Sequence, residues 1–307
     1  MNAGADARER LSVASEACRR ALSEDPLAGI LACLRQYATP AAAFELLSQT
    51  TTCSSGTAVQ ALVNSVESKA EDHSVERALL LLAAQHAAAK LPGIPIAERV
   101  KELFADEFEF FAKPTPEWMS NFRYDNIRFR EMARLATLHR FPAGQFHWEL
   151  TAFPRSWLLQ TLHVGKLLYH IARRMGGFSP LFEFHLNSRR RNRVMLLEKQ
   201  ANISYYRTAK SILLQPAVKG LMLASWLYSE STAEVTPHLA WLRTVPQSGG
   251  AMAIDLGPAP EDSGFLIGSE ERRKQYHEGS YRPRMGCVLW ARADLIAWAK
   301  QHPEFDV

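Results

Sequence analysis

A glutamate and a histidine alternate in the stretch FEFHLN, and both are residue types that move protons in active sites. Glu183 and His185 are two positions apart, so they share one face if the stretch is a strand. Such a pair can serve as a general base and its orienting partner on an amine substrate. The alternative is that both are ordinary polar residues at a sheet edge.

The stretch FHWE repeats this spacing with His147 and Glu149. Imidazole nitrogens and carboxylate oxygens are also metal ligands, so the two pairs together form a candidate metal site. The motifs HxxxH and HExxH do not occur in the chain. No metal is therefore predicted, and the metal reading stays an alternative.

The densest positive charge in the chain is the run Arg189, Arg190, Arg191 and Arg193. Arginine forks bind phosphate through two parallel hydrogen bonds, which suits a nucleotide tail or a nucleic-acid backbone. A solvated loop paired with nearby carboxylates is the alternative. Arg243 follows the apolar stretch GLMLASWLY, which is suited to a buried strand. We expect Arg243 near the carboxyl end of that strand, where open α/β sheets bind ligands.

Tyr276 stands at the end of a charged helical stretch, before a stop at Glu278 and Gly279. A phenol is neutral at pH 7 and can donate a proton as negative charge builds on a leaving group. The alternative is a structural tyrosine whose ring closes a core.

The arrangement of Tyr276, Gly279 and Tyr281, leading into a strand that ends at Trp290, resembles the C-terminal part of the N-acetyltransferase (GNAT) superfamily. The resemblance covers roughly residues 180–292. It implies that Tyr276 protonates the departing coenzyme A thiolate. It also implies acyl-CoA as co-substrate, bound by the arginine run, by Arg243, and by Gly249 and Gly250 in a pyrophosphate loop.

Composition limits the classes of protein that fit. The chain has 307 residues and a net charge of +4. Residues 1–150 carry −3 and residues 151–307 carry +7, which favours an anionic ligand for the second half. The four cysteines are widely spaced, which predicts reduced thiols and a cytoplasmic location. The longest apolar run is too short to span a membrane, so no membrane partner is expected.

Hydrophobic periodicity predicts helices from residue 4 to residue 112, and the first of them has Leu11, Ala14, Ala17 or Cys18, and Leu22 on one stripe. Two further helices are expected in the middle of the chain, and residues 147–155 are expected to belong to the loop between them. The second of these helices is expected to run from a cap at Ser156 to Met175, with a stop at Gly176 and Gly177. From Ser179 onward, short strands alternate with helices. The sequence therefore predicts an α+β protein, with a mainly helical region at 1–176. A GNAT-like domain at 177–307 would have a central sheet flanked by helices.

We expect from this an acyl-CoA-dependent N-acyltransferase in which the amine attacks the thioester directly. Glu183 or His185 would relay the amine proton, and Tyr276 would protonate the sulfur. The partner would be a small-molecule amine, and the helical region is a candidate surface for a homo-oligomer or a partner protein. Two alternatives stay open: a non-catalytic module that binds protein or nucleic acid, and a metal-dependent enzyme.

Overall fold

The computed structural model describes residues 3–24, 26–52, 57–66, 73–115, 118, 122–187, 196–264, 266 and 269–307. The chain divides into two compact units, Met1–Pro142 and Ala143–Val307. The boundary predicted near residue 176 lies inside the second unit. The reason is that β2 (Phe146–Thr151), which precedes that position, pairs along its length with β3 (Leu181–Leu186), which follows it.

The first unit is helical, as the sequence predicts. Its elements are α1 (Ala3–Ser23), α2 (Leu27–Leu34), α3 (Pro40–Thr52), α4 (Thr57–Val66), α5 (Ser74–Lys90), α6 (Glu98–Ala112), α7 (Ile127–Ala136) and the short strand β1 (Arg140–Pro142). The stripe predicted on α1 is buried at Leu11, Ala14, Cys18 and Leu22. Helix α5 is buried on several sides, since it packs against α1, α3, α6 and α7.

The second unit combines a sheet with helices on both faces. Besides β2 and β3 it contains β4 (Gly220–Ser225), β5 (Met252–Pro258), β6 (Arg284–Ala291), α8 (Val164–Tyr169), α9 (Glu198–Leu213), α10 (Glu230–Val235), α11 (Trp241–Ser248), α12 (Glu270–His277) and α13 (Arg292–Gln301). The α+β class is confirmed, with the helical region first and the sheet in the second half.

The strands of this unit lie in the order β2-β3-β4-β6-β5. β3 and β4 are parallel, and the remaining neighbours are antiparallel. Helix α9 connects the parallel pair, as a crossover between parallel strands requires. The central sheet expected from alternating strands and helices is therefore present, and it is a mixed sheet.

The two faces of the sheet have different cores. On one face Trp148 stacks on Phe182 at 3.8 Å, and Tyr205 of α9 contacts Trp290 and Trp298. The other face is covered by α8 and its continuation as a π-helix (His170–Met175). There the buried apolar side chains are Phe153, Leu167, Ile171, Met175, Leu181, Met222, Ile254, Leu256, Cys287 and Leu289.

Two local predictions are wrong. The stretch from His147 to Arg155 was expected to be a loop, but its first half is strand β2. The stretch from Ser156 to Met175 was expected to be one helix with Ser156 as its cap. It is instead a 3₁₀-helix (Arg155–Gln160), a break, and then α8. The stop predicted at its far end is correct, because Gly176 has the left-handed φ of 76°.

Among the described residues, no helix combines the length and the apolar character needed to cross a bilayer.

Candidate functional site

Glu149, Glu183 and His185 come together on one face of the sheet. The antiparallel register of β2 and β3 places Glu149 directly opposite Glu183 and His147 directly opposite His185. Directly paired residues point to the same face, so all four side chains project from it. Ligand atoms of Glu149, Glu183 and His185 lie within 4.8 Å of one another. The i,i+2 pairs in FHWE and FEFHLN therefore form one cluster when β2 and β3 pair.

The contact at its centre joins His185 and Glu149. His185 Nε2 lies 3.0 Å from Glu149 Oε1, and the two side chains are 28% and 16% exposed. His147 is buried. The cluster is therefore partly shielded: the His185 side chain keeps some exposure, while its Nε2 atom beside Glu149 is buried.

Cys287 lies near this cluster, on the strand β6. Burial raises the pKa of its thiol, and the negative charge of Glu183 raises that pKa further. The thiol therefore stays protonated at neutral pH, and Cys287 is not a nucleophile of this site.

The direction of the strands puts the cluster near one edge of the sheet. Because β3 and β4 are parallel, their carboxyl ends, at Leu186 and Ser225, lie at the same edge. The chain leaves β3 at this edge, and α9 begins at Glu198 before returning to the start of β4. Ligands of α/β sheets bind at such carboxyl ends.

The predicted phosphate-binding arginines belong to the connection that follows β3. Arg189, Arg190, Arg191 and Arg193 lie outside the described residues. In the sequence they fall between the end of β3 and the start of α9. Their role stays a prediction.

Tyr276 lies on α12, and the Arg272 guanidinium of this helix is 5.0 Å from the centre of the Trp226 ring, directly after the carboxyl end of β4. Ser269 caps the helix by accepting a hydrogen bond from the Arg272 backbone N–H at 3.2 Å. Gly279, with φ of 79°, ends it. The next strand, β6, then pairs its Gly286 with Ser225 at the carboxyl end of β4. Tyr276 itself is half-buried, and its ring contacts His277 edge-on at 5.8 Å.

Tyr281, the second tyrosine of the predicted motif, is a core residue. It is fully buried, and its hydroxyl lies 3.2 Å from Thr232 Oγ1. Burial raises the pKa of this phenol, and the hydrogen bond to Thr232 opposes part of that rise. This contact ties the segment after α12 to α10, which follows β4.

Arg243 makes structural contacts in this unit, and the coenzyme contact expected from the sequence stays a prediction. Its Nη1 lies 2.7 Å from Asp255 Oδ1 and donates to the Tyr228 carbonyl at 2.7 Å. Asp255 also accepts from the backbone N–H of Glu230. The guanidinium joins α11 to β5 and to the turn after β4. Asp255 balances its positive charge.

Gly249 and Gly250 do not have the position at the start of a helix that the predicted phosphate loop requires. They end α11, and their N–H groups donate to the carbonyls of Val245 and Gln247. A phosphate loop needs such groups at the start of a helix, directed outward. The requirement for glycine at 249 comes from packing, because a Cβ there would lie 2.4 Å from Cζ2 of Trp290.

Sequence reasoning grouped Glu149 with the metal ligands and missed it as the partner of His185. The signal was the matching spacing in FHWE and FEFHL, which only strand pairing turns into a contact.

No family model matches this chain, and neither the curated proteins nor the solved structures contain a significant match.

Proposed function

We propose that the protein is an acyl-CoA-dependent N-acyltransferase. The observation that carries the proposal is the Glu149–Glu183–His185 cluster near the carboxyl end of a parallel strand pair. An acid–base cluster there would adjoin the ligand edge of the sheet. The proposed phosphate-binding arginines precede α9 in the sequence, so they follow the same strand as Glu183 and His185.

The amine must lose a proton to attack a thioester, and this chain offers two groups to accept it. Glu183 and His185 project from the same strand face, and Glu149 orients the imidazole through the 3.0 Å contact. A carboxylate beside the ring also stabilises the imidazolium that forms when His185 takes the proton. Acyl-CoA would supply the acyl group, and the amide and free thiol would be the products.

Phosphate binding is assigned to the arginines instead of the first turn of α9. Glu198 already places a negative charge in that turn, where it interacts with the positive end of the helix dipole. Arg189, Arg190, Arg191 and Arg193 would each offer a bidentate fork to phosphate oxygens.

Tyr276 is proposed as the acid that protonates the coenzyme thiolate. Its support is the placement of α12 at the edge of the sheet to which β3 and β4 run. A neutral phenol can donate there while Glu183 and His185 accept.

The first test is binding. Acetyl-CoA and longer acyl-CoA thioesters at millimolar concentration are expected to raise the melting temperature, while free adenine and pantetheine are not. The absence of a shift with every thioester would count decisively against the proposal.

The second test is turnover, measured as thiol release with a panel of primary amines. Glu183→Gln, His185→Gln and Tyr276→Phe are each expected to lower kcat while retaining acyl-CoA binding. Glu234→Gln, an exposed glutamate on α10, is the matched control. Unchanged thiol release in all three site variants would refute the roles assigned here.

A metal-dependent enzyme is the second candidate, because two carboxylates and an imidazole lie close enough to approach one ion. Ligands of zinc are about 2.0–2.2 Å from the ion, so this cluster would have to contract slightly around it. Elemental analysis of protein purified without chelators separates the two candidates. A stoichiometric transition metal lost in Glu183→Gln favours the metal enzyme, and its absence favours acid–base chemistry.

A further inference from the structure

The connection between β2 and β3 is both basic and apolar. Residues 150–182 contain no aspartate or glutamate, and they contain Arg155, Lys166, Arg173 and Arg174. We call this stretch the basic connection. It includes the 3₁₀-helix Arg155–Gln160 and α8.

Several of its large apolar side chains face solvent. Leu159 is 91% exposed and Leu162 is 96% exposed, and Tyr169 is exposed by two thirds. Val164 and Leu168 are exposed as well. Isolated exposed leucines are ordinary, but five large apolar residues within eleven positions form a patch that indicates a binding surface.

The patch does not result from a loosely held segment. Leu167, Ile171 and Met175 on the opposite side of the helix are buried against the sheet. His170 adds a contact of 3.2 Å between its Nε2 and the carbonyl of Leu289. The helix is therefore anchored on one side and presents apolar residues on the other, which leaves a second apolar side without a core to bury it.

Charge identifies the kind of occupant. Lys166 and Arg173 are exposed beside the apolar residues, and Arg155 lies 5.5 Å above the ring of Phe178. One cation of the set is already paired, since Arg174 lies 2.5 Å from Asp294. Within the basic connection, Arg155, Lys166 and Arg173 remain after this pair is counted, so an anionic occupant is favoured.

A second copy of the chain fits this surface poorly. In a twofold dimer the same patch faces itself, which would bring the unpaired cations of both copies together. The near-complete exposure of Leu159 and Leu162 also means that they protrude. Leucine is under-represented among the residues that contribute most to protein–protein binding, whereas protruding aliphatic side chains beside cations suit the interfacial region of a bilayer.

We propose that the basic connection binds the surface of anionic lipid bilayers, with Leu159 and Leu162 inserted and Lys166 and Arg173 near the phosphates. This proposal departs from the expectation that the protein has no membrane partner, because that expectation was drawn only from the lack of an apolar run long enough to span a bilayer. It is independent of the acyltransferase proposal.

The first experiment is co-sedimentation of the full chain with vesicles. Phosphatidylcholine vesicles containing phosphatidylglycerol are expected to bind the protein at low salt, and pure phosphatidylcholine vesicles to bind it at least about tenfold more weakly. The double variant Leu159→Gln/Leu162→Gln is expected to lower binding by about tenfold or more. Leu213→Gln/Leu214→Gln, on exposed leucines at the end of α9, is the matched control and is expected to bind normally.

The second experiment separates this surface from the general positive charge of the unit. Lys166→Glu/Arg173→Glu is expected to reduce binding by about tenfold or more, while Lys210→Glu/Lys300→Glu, on other exposed helical positions, is expected to reduce it much less. Equal losses in the two charge variants would overturn the proposal, as would no binding to anionic vesicles at low salt.

Light scattering after gel filtration measures the molar mass in solution and so tests the dimer alternative. A dimer that Leu159→Gln/Leu162→Gln converts to a monomer would show that a second copy occupies the surface, and would also overturn the proposal. Circular dichroism and thermal melting confirm that each variant is folded before its binding is compared.

Discussion

His185 contacts Glu149 diagonally across β2 and β3, with 3.0 Å between Nε2 and Oε1. The direct partner of His185 in the register is His147, and Glu149 is the direct partner of Glu183. The diagonal contact therefore joins the two pairs into one cluster. It gives Glu149 a positioning role that depends on the pairing of the strands.

Glu149→Gln tests this positioning role. The amide keeps the shape and one oxygen acceptor but removes the charge that stabilises an imidazolium. We expect kcat for acyl transfer to fall by about tenfold and the KM for acyl-CoA to stay unchanged. His185→Gln removes the base itself and should lower kcat by about a hundredfold or more. A raised KM for acyl-CoA with an unchanged kcat would instead mean that Glu149 belongs to the donor site.

Arg243→Ala tests whether this arginine is a structural brace or a coenzyme contact. Removing it leaves Asp255, which is about four-fifths buried, without its charged partner. We expect the free energy of unfolding to fall by about 1–3 kcal/mol, measured by urea denaturation. In a double-mutant cycle with Asp255→Asn, much of the loss should be shared between the two residues. An unchanged stability together with weaker acyl-CoA binding would support the coenzyme role.

Gly249→Ala tests whether packing explains this glycine. A Cβ would lie 2.4 Å from Cζ2 of Trp290 and 3.0 Å from Cδ1 of Trp298, both rigid indole atoms. We expect a destabilisation of about 1–3 kcal/mol by the same denaturation measurement. Gly165→Ala is the matched control, because a Cβ on that helical glycine meets no atom within 4 Å. It should be neutral or stabilising by about 0.5–1 kcal/mol. Similar losses at both positions would contradict the packing explanation.

His170 should make the stability of the protein depend on pH. Burial lowers its pKa below the ordinary value of 6.5, although the contact with the Leu289 carbonyl partly opposes this. Since the unfolded chain then binds a proton more readily, the contribution is present above pH 6.5 and is lost as the pH falls through the lower folded-state pKa.

The slope from this one group is at most about 1.4 kcal/mol per pH unit. His170→Gln should flatten the curve of unfolding free energy between pH 7 and pH 5. His163→Gln, at the exposed histidine that directly precedes α8, is the control and should leave the curve unchanged. A curve with the same slope in wild type and His170→Gln would assign the pH dependence to other groups.

The sequence predicted those features that depend on a local pattern. The stripe of Leu11, Ala14, Cys18 and Leu22 specifies the buried side of α1 by itself. The alternation in FEFHLN places Glu183 and His185 on one face without knowledge of any neighbour. In both elements the spacing of the apolar or polar residues in the sequence matches the repeat of the secondary structure, about 3.6 residues for a helix and 2 for a strand.

The sequence did not predict features that depend on distant residues. Strand β2 was read as a loop, because its partner β3 is thirty positions further on and the pairing supplies its hydrogen bonds. The roles of Arg243 and Gly249 depend on Asp255 and Trp290, which their own sequence neighbourhoods do not reveal. Glycine and arginine serve phosphate binding and core packing equally well, so residue type alone could not decide.

The position of β6 between β4 and β5 has a consequence for synthesis of the chain. In the sheet order, β5 is paired only with β6, and one edge of β4 is also paired with β6. A nascent chain that ends before Arg284 therefore exposes two strand edges that only a later stretch can cover. During translation, those edges are where this protein is most open to mispairing with another chain.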